Sequence, residues 1–192
     1  MKKKGIIIAC VAVVLVVCIV LAVVLCVGAK SPKKIAKNLG KAFESSESLE
    51  KFMMKNTDFK AVAAMDKISG DSVPSEEDFK NAYKEISKDE EKEAKENMQK
   101  SFDESDEDSY KDFVGAKLKT KEIGELEDNK LLPMFKRMDV TYEKDGEDFK
   151  VTIFFYNKKM VTFLPTDTVA LLEAFSSMQS GDTGDTGDTV EE

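Results

Sequence analysis

The stretch VTYEKDGEDFKVTIFFYNKKMVTFL, residues 140–164, determines the architecture that this chain can adopt. Apolar and polar residues alternate along it, which is typical of β-strands whose side chains point to opposite faces. Asp145-Gly146 is a strong signal for a two-residue hairpin turn, and a second turn is predicted near Asn157-Lys158. The sequence therefore predicts consecutive antiparallel strands joined by tight turns.

The strand before the second turn is apolar on both faces near its end, which predicts a central strand. Its side chains divide into one set that faces one way, Phe149, Val151, Ile153 and Phe155, and another set that faces the other way, Thr152, Phe154 and Tyr156. A closing helix predicted over 167–179 would cover part of the second face, with either Val169, Leu172 and Phe175 or Ala170, Leu171 and Ala174 inward. We hypothesise that the remainder of that face forms a recognition surface.

Helical spacing dominates the chain before residue 115. Ile35, Leu39, Ala42 and Phe43 recur at the spacing of one helical face, and further short helices are predicted from Leu49 and after Thr57. Ser75 begins another helix with a capping-box spacing, and a mostly solvated helix follows with a thin apolar line of Ala94, Met98 and Phe102. Gly124 indicates a β-bulge in the first strand.

The chain begins with a long apolar segment, residues 5–28, which holds 24 residues without a charge. As a helix it would be about 36 Å long, enough to cross a hydrocarbon core of about 30 Å. Two alternatives are a cleaved signal ending at Val27-Gly28-Ala29 and lipid attachment at Cys10. The run is longer than the ~7–15 apolar residues of a signal peptide, and too few apolar residues precede Cys10, so a permanent span is favoured.

The predicted organisation places four regions along the chain. Residues 1–4 form a cytoplasmic N-terminus, 5–28 a transmembrane helix, 31–179 an α+β extracytoplasmic domain, and 180–192 a disordered acidic tail. A short basic N-terminus before an apolar run is typical of a signal anchor, which favours a single-pass protein of the cell membrane with most of its chain outside the cytoplasm. The predicted fold class is α+β: an N-terminal transmembrane helix, helices followed by an antiparallel β-meander, and a short C-terminal helix.

Composition limits the chemistry of the domain. The chain contains no His and no Trp, and its three Cys residues all lie within 5–28. Of the 29 Lys and Arg, four precede residue 31, whereas all 37 Asp and Glu follow residue 30, so the remainder carries a formal charge of −12 (25 − 37). Such a surface disfavours nucleic acid as a partner, and the missing residues remove the common catalytic bases, nucleophiles and metal ligands. We expect no cofactor, no metal and no catalytic residue.

Two acidic motifs have a composition that could suit calcium. The run DESDEDSYKD, residues 103–112, lacks the Gly and the Glu that an EF-hand loop needs at its sixth and twelfth positions, which Asp108 and Val114 occupy. The repeat GDTGDTGDT, residues 181–189, lacks the apolar positions of calcium-binding β-roll repeats. A solvated helix cap and a disordered acidic tail are the simpler interpretations.

The order of an N-terminal anchor, helices and the hairpins of 140–164 resembles the cystatin-like, nuclear transport factor 2-like ectodomains of bacterial envelope proteins, many of them uncharacterised lipoproteins or single-span proteins. The resemblance covers roughly residues 31–165 and lies in architecture. It implies a curved sheet that folds around a long helix and leaves a pocket for a small ligand or a partner protein. The residues that the resemblance would place in this pocket are Phe79, Tyr83, Tyr142, Phe154 and Tyr156.

These observations favour a single-pass membrane protein with an extracytoplasmic binding or assembly domain that is not an enzyme. Its expected partners are the membrane and either an envelope protein or a small apolar ligand. Two alternatives remain open: a carboxylate-based envelope hydrolase and a structural membrane tether. A concave site with two approaching carboxylates would favour the hydrolase, whereas one lined mainly by Phe, Tyr and Met would favour binding.

Overall fold

The computed structural model describes residues 31–69, 74–104 and 114–180, the last six of these without their side chains. The chain divides into two units, Met1–Ser31 and Pro32–Glu192, and every described helix and strand belongs to the second. Among the described residues, no helix is both long enough and apolar enough to cross a bilayer. The predicted transmembrane helix 5–28 and the predicted tail beyond residue 180 lie outside this part of the chain.

The described elements follow an α+β plan with the helices first. The helices before the sheet are α1 (Pro32–Ala42), α2 (Ser46–Asn56), α3 (Phe59–Ile68), α4 (Glu76–Glu85) and α5 (Lys88–Glu104). The sheet and the closing helix comprise β1 (Lys119–Ile123), β2 (Glu127–Asp128), β3 (Lys136–Lys144), β4 (Glu147–Tyr156), β5 (Lys159–Pro165) and α6 (Thr166–Ser180). This order confirms the predicted helices, antiparallel sheet and short C-terminal helix.

Serine side chains cap α2, α4 and α5. The Oγ atoms of Ser45 and Ser75 each accept the backbone N–H three residues on, at 3.1 Å, and so satisfy one free donor of α2 and of α4. At α5 the capping is reciprocal: Glu90 N donates to Ser87 Oγ at 3.2 Å and Ser87 N donates to Glu90 Oε2 at 2.7 Å. The predicted capping at Ser75 is confirmed.

The sheet is antiparallel, with strand order β1-β3-β4-β5 and β2 beside β1 along the same edge of β3. Two-residue turns join its long strands, with positive φ at Asp145 (54°) and Gly146 (86°) and at Asn157 (47°) and Lys158 (67°). Positive φ at both positions defines the turn whose twist matches a β-hairpin. Both predicted turns are confirmed, and β4 lies between β3 and β5 as a central strand.

Gly124 has a different role from the predicted bulge. The register of β1 on β3 shifts between Thr120 and Glu122, before Gly124 is reached. Gly124 N donates to Asp139 O at 2.8 Å, and a Cβ at Gly124 would lie 2.9 Å from that same oxygen. Glycine is therefore required where the chain passes close to β3 between β1 and β2.

One face of the sheet packs against α1 and α2 in an apolar core. Tyr142 is fully buried there, and its hydroxyl donates to Ala36 O at 2.6 Å. A Cβ on Gly40 would lie 2.6 Å from Cε1 of Tyr142, so glycine lets α1 approach the ring. The ring of Phe43 meets those of Tyr142 and Phe149 edge-on, at 6.1 and 5.7 Å between centroids. The helical face predicted from Ile35 to Phe43 is confirmed.

A second core forms among α3, α4 and α5. Phe79 of α4 is fully buried, and its ring lies 5.1 Å from Phe135, which precedes β3. Alanines at 61, 63, 64, 82 and 94 fill the helix contacts. Small side chains of this kind let the helices approach one another closely. From α5, only Ala94 is fully buried.

The opposite face of the sheet is covered partly by polar groups. Phe154 is 3 % exposed on this face, and Val169 is the one fully buried side chain described on α6. Arg137 donates to Asp139 Oδ2 and to Glu173 Oε1, both at 2.8 Å. The hydrogen bond that Arg137 donates to Asp139 raises the pKa of Arg137. The predicted inward faces of the closing helix were wrong at Leu171 and Leu172, which are 61 % and 44 % exposed, whereas Phe175 lies outside the described side chains.

Candidate functional site

Three of the five predicted pocket residues meet in one aromatic cluster. Phe79 and Tyr83 of α4 lie 4.9 and 4.8 Å, respectively, from Tyr156 at the end of β4, measured between ring centroids. Phe135 completes the cluster at 5.1 Å from Phe79. Phe79 is buried, whereas Tyr83 and Tyr156 are half-buried. The four rings pack against one another and so fill the space between α4 and the sheet.

A buried carboxylate borders this cluster. Asp58 caps α3 by accepting the backbone N–H of Ala61 at 3.3 Å, and its other oxygen accepts the hydroxyl of Tyr83 at 3.4 Å. Lys159 Nζ lies 4.0 Å from the same oxygen, and Lys60 Nζ lies 5.0 Å from the Tyr83 ring centroid. Burial, followed by the charge of Asp58, raises the pKa of Tyr83 to about 12. Tyr83 is therefore a neutral hydrogen-bond donor that secures the start of α3.

The other two predicted residues lie elsewhere. Tyr142 belongs to the core beneath α1, where burial raises its pKa and its hydroxyl is bonded to Ala36 O. Phe154 points to the opposite face of the sheet, which α6 borders. The five residues therefore do not share one pocket, and none of them lines the open groove between α2, α3, α5 and β5.

This open groove has a volume of about 360 Å³, and we call it the apolar groove. Leu49 and Met53 are buried at its base, and Met98, Phe102 and Phe163 are partly buried along it. Gln99 donates to Glu50 at 2.8 Å and so joins α5 to α2 near it. Its lining comprises Leu49, Met53, Val62, Asp66, Ala94, Asn97, Met98, Ser101, Phe102, Thr162 and Phe163.

Next to the apolar groove lies a second depression of about 350 Å³, which we call the acidic end. The two share Asp66, Ala94 and Asn97. The acidic end adds the carboxylates of Glu90 and Glu93 and the ammonium group of Lys67, together with Ala63. Lys67 lies 3.5 Å from Glu90 and 3.8 Å from Glu85. With three carboxylates and one lysine, the acidic end has an excess of negative charge.

The carboxylates at the acidic end differ in what they contact. Glu90 accepts the backbone N–H of Ser87, and its hydrogen bonds with Ser87 lower its pKa. Asp66 and Glu93 form no ion pair or side-chain hydrogen bond with another described residue. A general acid needs a raised pKa, so Glu90 is shifted in the wrong direction for that role. No group of three acidic, His or Cys side chains among the described residues is arranged to hold a metal ion.

Sequence reasoning missed the apolar groove although it identified part of its wall. The thin line of Ala94, Met98 and Phe102 predicted a weakly buried α5, and only Ala94 is fully buried. Such a line at every fourth position, on an otherwise charged helix, was the available signal. It could not reveal that Phe163, on a strand 61 residues after Phe102 (163 − 102), lines the same groove.

No family model, curated protein or solved structure matches this chain. The resemblance to cystatin-like, nuclear transport factor 2-like ectodomains therefore stays a prediction. The groove and the sequence are the basis on which a function can be assigned.

Proposed function

We propose that this chain is a single-pass membrane protein whose domain 31–179 is a non-catalytic binding module outside the cytoplasm. Its site is the apolar groove, and its ligand is a small molecule with an apolar chain and a cationic group. The membrane anchor is the uncharged segment 5–28, which lies outside the described residues. One observation carries the proposal: an open apolar groove shares Asp66, Ala94 and Asn97 with a depression rich in carboxylates.

The lining supports binding over catalysis. Ligand sites are concave, mainly apolar and supplied with a few polar groups, with volumes of about 300–1,000 Å³. The apolar groove fits this description at about 360 Å³, with Met53, Met98 and Phe163 offering adaptable apolar contacts. Among its described residues, the apolar groove holds one carboxylate, Asp66, where the hydrolase alternative would need two that approach each other.

Charge selects the ligand class. Asp66 stands where the apolar groove and the acidic end meet, and Glu93 lies beyond it. A ligand with its chain beside Met53 and Met98 would bring its polar end to these carboxylates. Both carboxylates are exposed, so their attraction is modest, but its sign favours a cation there and disfavours an anion.

Methionine methyl NMR can test the proposal on the full-length chain in zwitterionic lipid nanodiscs. The probes are octylammonium and octanoate, which have the same chain length and opposite charge. We expect octylammonium to shift the methyl resonances of Met53 and Met98 while leaving those of Met138 and Met160 unchanged, because the latter two are buried in the core beneath α1 and α2. Equal shifts at all four methyl groups, or none at Met53 and Met98, would contradict the proposal.

The membrane anchor has a separate test. Replacing Val14 and Leu15 with Arg should prevent stable insertion, since each charge at mid-span costs ~2.5–3.5 kcal/mol on insertion scales. The wild-type chain should stay with membranes after carbonate washing, and protease added to intact cells should remove the domain. Release of a chain that begins at Lys30 would instead indicate a cleaved signal.

A further inference from the structure

A second groove, lined by four lysines, lies between α1 and the edge strand β1. It has a volume of about 400 Å³, and we call it the lysine groove. Its lining consists of Lys37, Lys41, Lys117, Leu118, Lys119 and Thr120. Among the described residues, no carboxylate contributes to it, although Asp and Glu outnumber Lys and Arg by 37 to 29 in the chain.

The fold brings these lysines together from two distant segments. Lys37 and Lys41 are one helical turn apart on α1 and so share a face. Leu118 N donates to Gly40 O at 2.9 Å, which holds the start of β1 against the end of α1. Leu118 is buried, and Lys117 and Lys119 on either side of it are exposed. Folding therefore brings the four lysines together, and they do not form one run of basic residues in the sequence.

The four ammonium groups have no acidic partner in the part of the chain that the structure describes. None of them forms an ion pair or hydrogen bond with another described residue. Glu143 is the cross-strand neighbour of Lys119, but it makes no ion pair with it. The terminal carbonyl groups of α1 do not compete strongly, because Gly40 O accepts from Leu118 N and Phe43 O accepts from Gly115 N.

We propose that the lysine groove binds the phosphate headgroup of an anionic phospholipid. This inference rests on the proposed anchoring of the chain through 5–28. Lys37 follows Gly28 by nine residues (37 − 28), so the chain keeps it within about 30 Å of the end of the apolar segment. Lysines next to a membrane anchor are attracted to anionic lipid surfaces, and Lys117 and Lys119 add two more charges at the same place. The bound headgroup would hold α1 and β1 against the membrane surface.

Lysine acetylation with mass spectrometry can test this on the full-length chain in nanodiscs. One preparation contains phosphatidylcholine alone, and the other also contains phosphatidylglycerol. We expect phosphatidylglycerol to slow acetylation of all four groove lysines about threefold or more, and to leave Lys95 and Lys100 of α5 unchanged. Unchanged acetylation rates at Lys117 and Lys119 would overturn the proposal. These two lysines are the decisive ones because they are far from the anchor in sequence, so proximity to the anchor along the chain would not protect them.

Charge-reversal variants and a phosphate control show whether the four lysines bind a lipid headgroup together. The double variant Lys117→Glu/Lys119→Glu should lose the protection of Lys37 and Lys41, whereas the matched reversal Lys92→Glu/Lys95→Glu on α5 should keep it. Retained protection in the first variant would show that the four lysines do not act as one site.

Inorganic phosphate added to phosphatidylcholine nanodiscs should protect none of the four lysines. Equal protection there would reassign the site to a free phosphate. Failure of the chain to enter nanodiscs would disprove the anchor instead.

Discussion

The core around Tyr142 and the apolar groove beside Met53 are both built from helices packed against the sheet, but only the first is closed. In the core, Gly40 lets α1 approach until the Tyr142 hydroxyl reaches Ala36 O. In the groove, α5 meets its neighbours through Ala94 and leaves Met98 and Phe102 only partly buried. Phe163 belongs to both regions, since its ring packs on Phe43 at 5.6 Å and also lines the groove.

The difference lies in how much apolar surface each helix presents. α1 buries Ile35, Ala36, Leu39, Gly40 and Ala42, whereas the longer α5 buries Ala94 alone. A helix with a wide apolar stripe closes over a sheet, and one with a narrow stripe leaves uncovered surface beside it. Substitutions should therefore affect stability in the core and binding in the groove.

The largest effect is expected from the two central phenylalanines of β4. Phe154 and Phe155 are 3 % and 0 % exposed, on opposite faces. Phe→Ala in a core costs about 3–5 kcal/mol, and a buried hydroxyl adds to this, so Phe154→Ser and Phe155→Ser should both unfold the domain or lower its Tm by about 10 °C or more. Thermal unfolding followed by circular dichroism would measure this. A stable Phe154→Ser variant would support the hypothesis of a recognition surface on the second face.

A smaller loss is expected where α1 approaches the sheet. Gly40→Val would force its side chain into the Tyr142 ring, and overpacking of this kind costs about 1–3 kcal/mol. The matched control Lys37→Val lies on the exposed side of the same helix and should cost only the helix propensity of valine, about 0.5 kcal/mol. Equal losses of Tm in the two variants would mean that the core tolerates expansion and is less closed than the approach of α1 to Tyr142 indicates.

In the groove the effect on stability should be smaller still. Phe102 is partly buried at the groove wall, so Phe102→Ser should lower stability by about 1 kcal/mol while weakening octylammonium binding severalfold. The Tm and the affinity for octylammonium would be measured on the same samples of each variant. A loss of stability as large as that of Phe155→Ser would show that Phe102 belongs to the closed core.

The smallest effect concerns the cap of α5, which forms one edge of the acidic end. Hydrogen bonds from Ser87 lower the pKa of Glu90 from its ordinary 4.5, so its charge stabilises the fold above that value. This contribution is lost as pH falls through the lowered pKa. Glu90→Gln should therefore be slightly less stable than the wild type at pH 7, and the difference should disappear once the pH is below the lowered pKa. A difference in Tm that grows towards low pH would have the wrong sign.

The elements of the fold could be predicted because their signals are local. The two turns, the Ser75 cap and the face from Ile35 to Phe43 each depend on residues close in sequence, and each is confirmed. The closing helix was predicted, but its inward residues were wrong at Leu171 and Leu172, which are exposed, whereas Glu173 between them and Ala174 accepts a hydrogen bond from Arg137 of β3. A distant ion pair leaves no trace in the spacing of apolar residues.

The site was less predictable than the fold. The aromatic residues that the resemblance implied for a pocket are mostly used to fill cores or to contact one another. The apolar groove and the lysine groove each combine segments that are far apart in the chain, such as Met53 with Phe163 and Lys37 with Lys117. Only the pairing of strands and the placement of helices brings such residues together.

Reversing the charge of Asp66 tests the central claim most directly. Asp66 stands at the junction of the apolar groove and the acidic end, and Glu122 is an exposed acidic residue on β1 that lines neither groove. Affinities of octylammonium and octanoate would be measured for Asp66→Lys and for the matched control Glu122→Lys, in the full-length chain in nanodiscs. We predict that Asp66→Lys abolishes or reverses the preference for octylammonium and that Glu122→Lys keeps it. An unchanged preference in Asp66→Lys, or an equal loss in both variants, would contradict a groove that selects apolar cations.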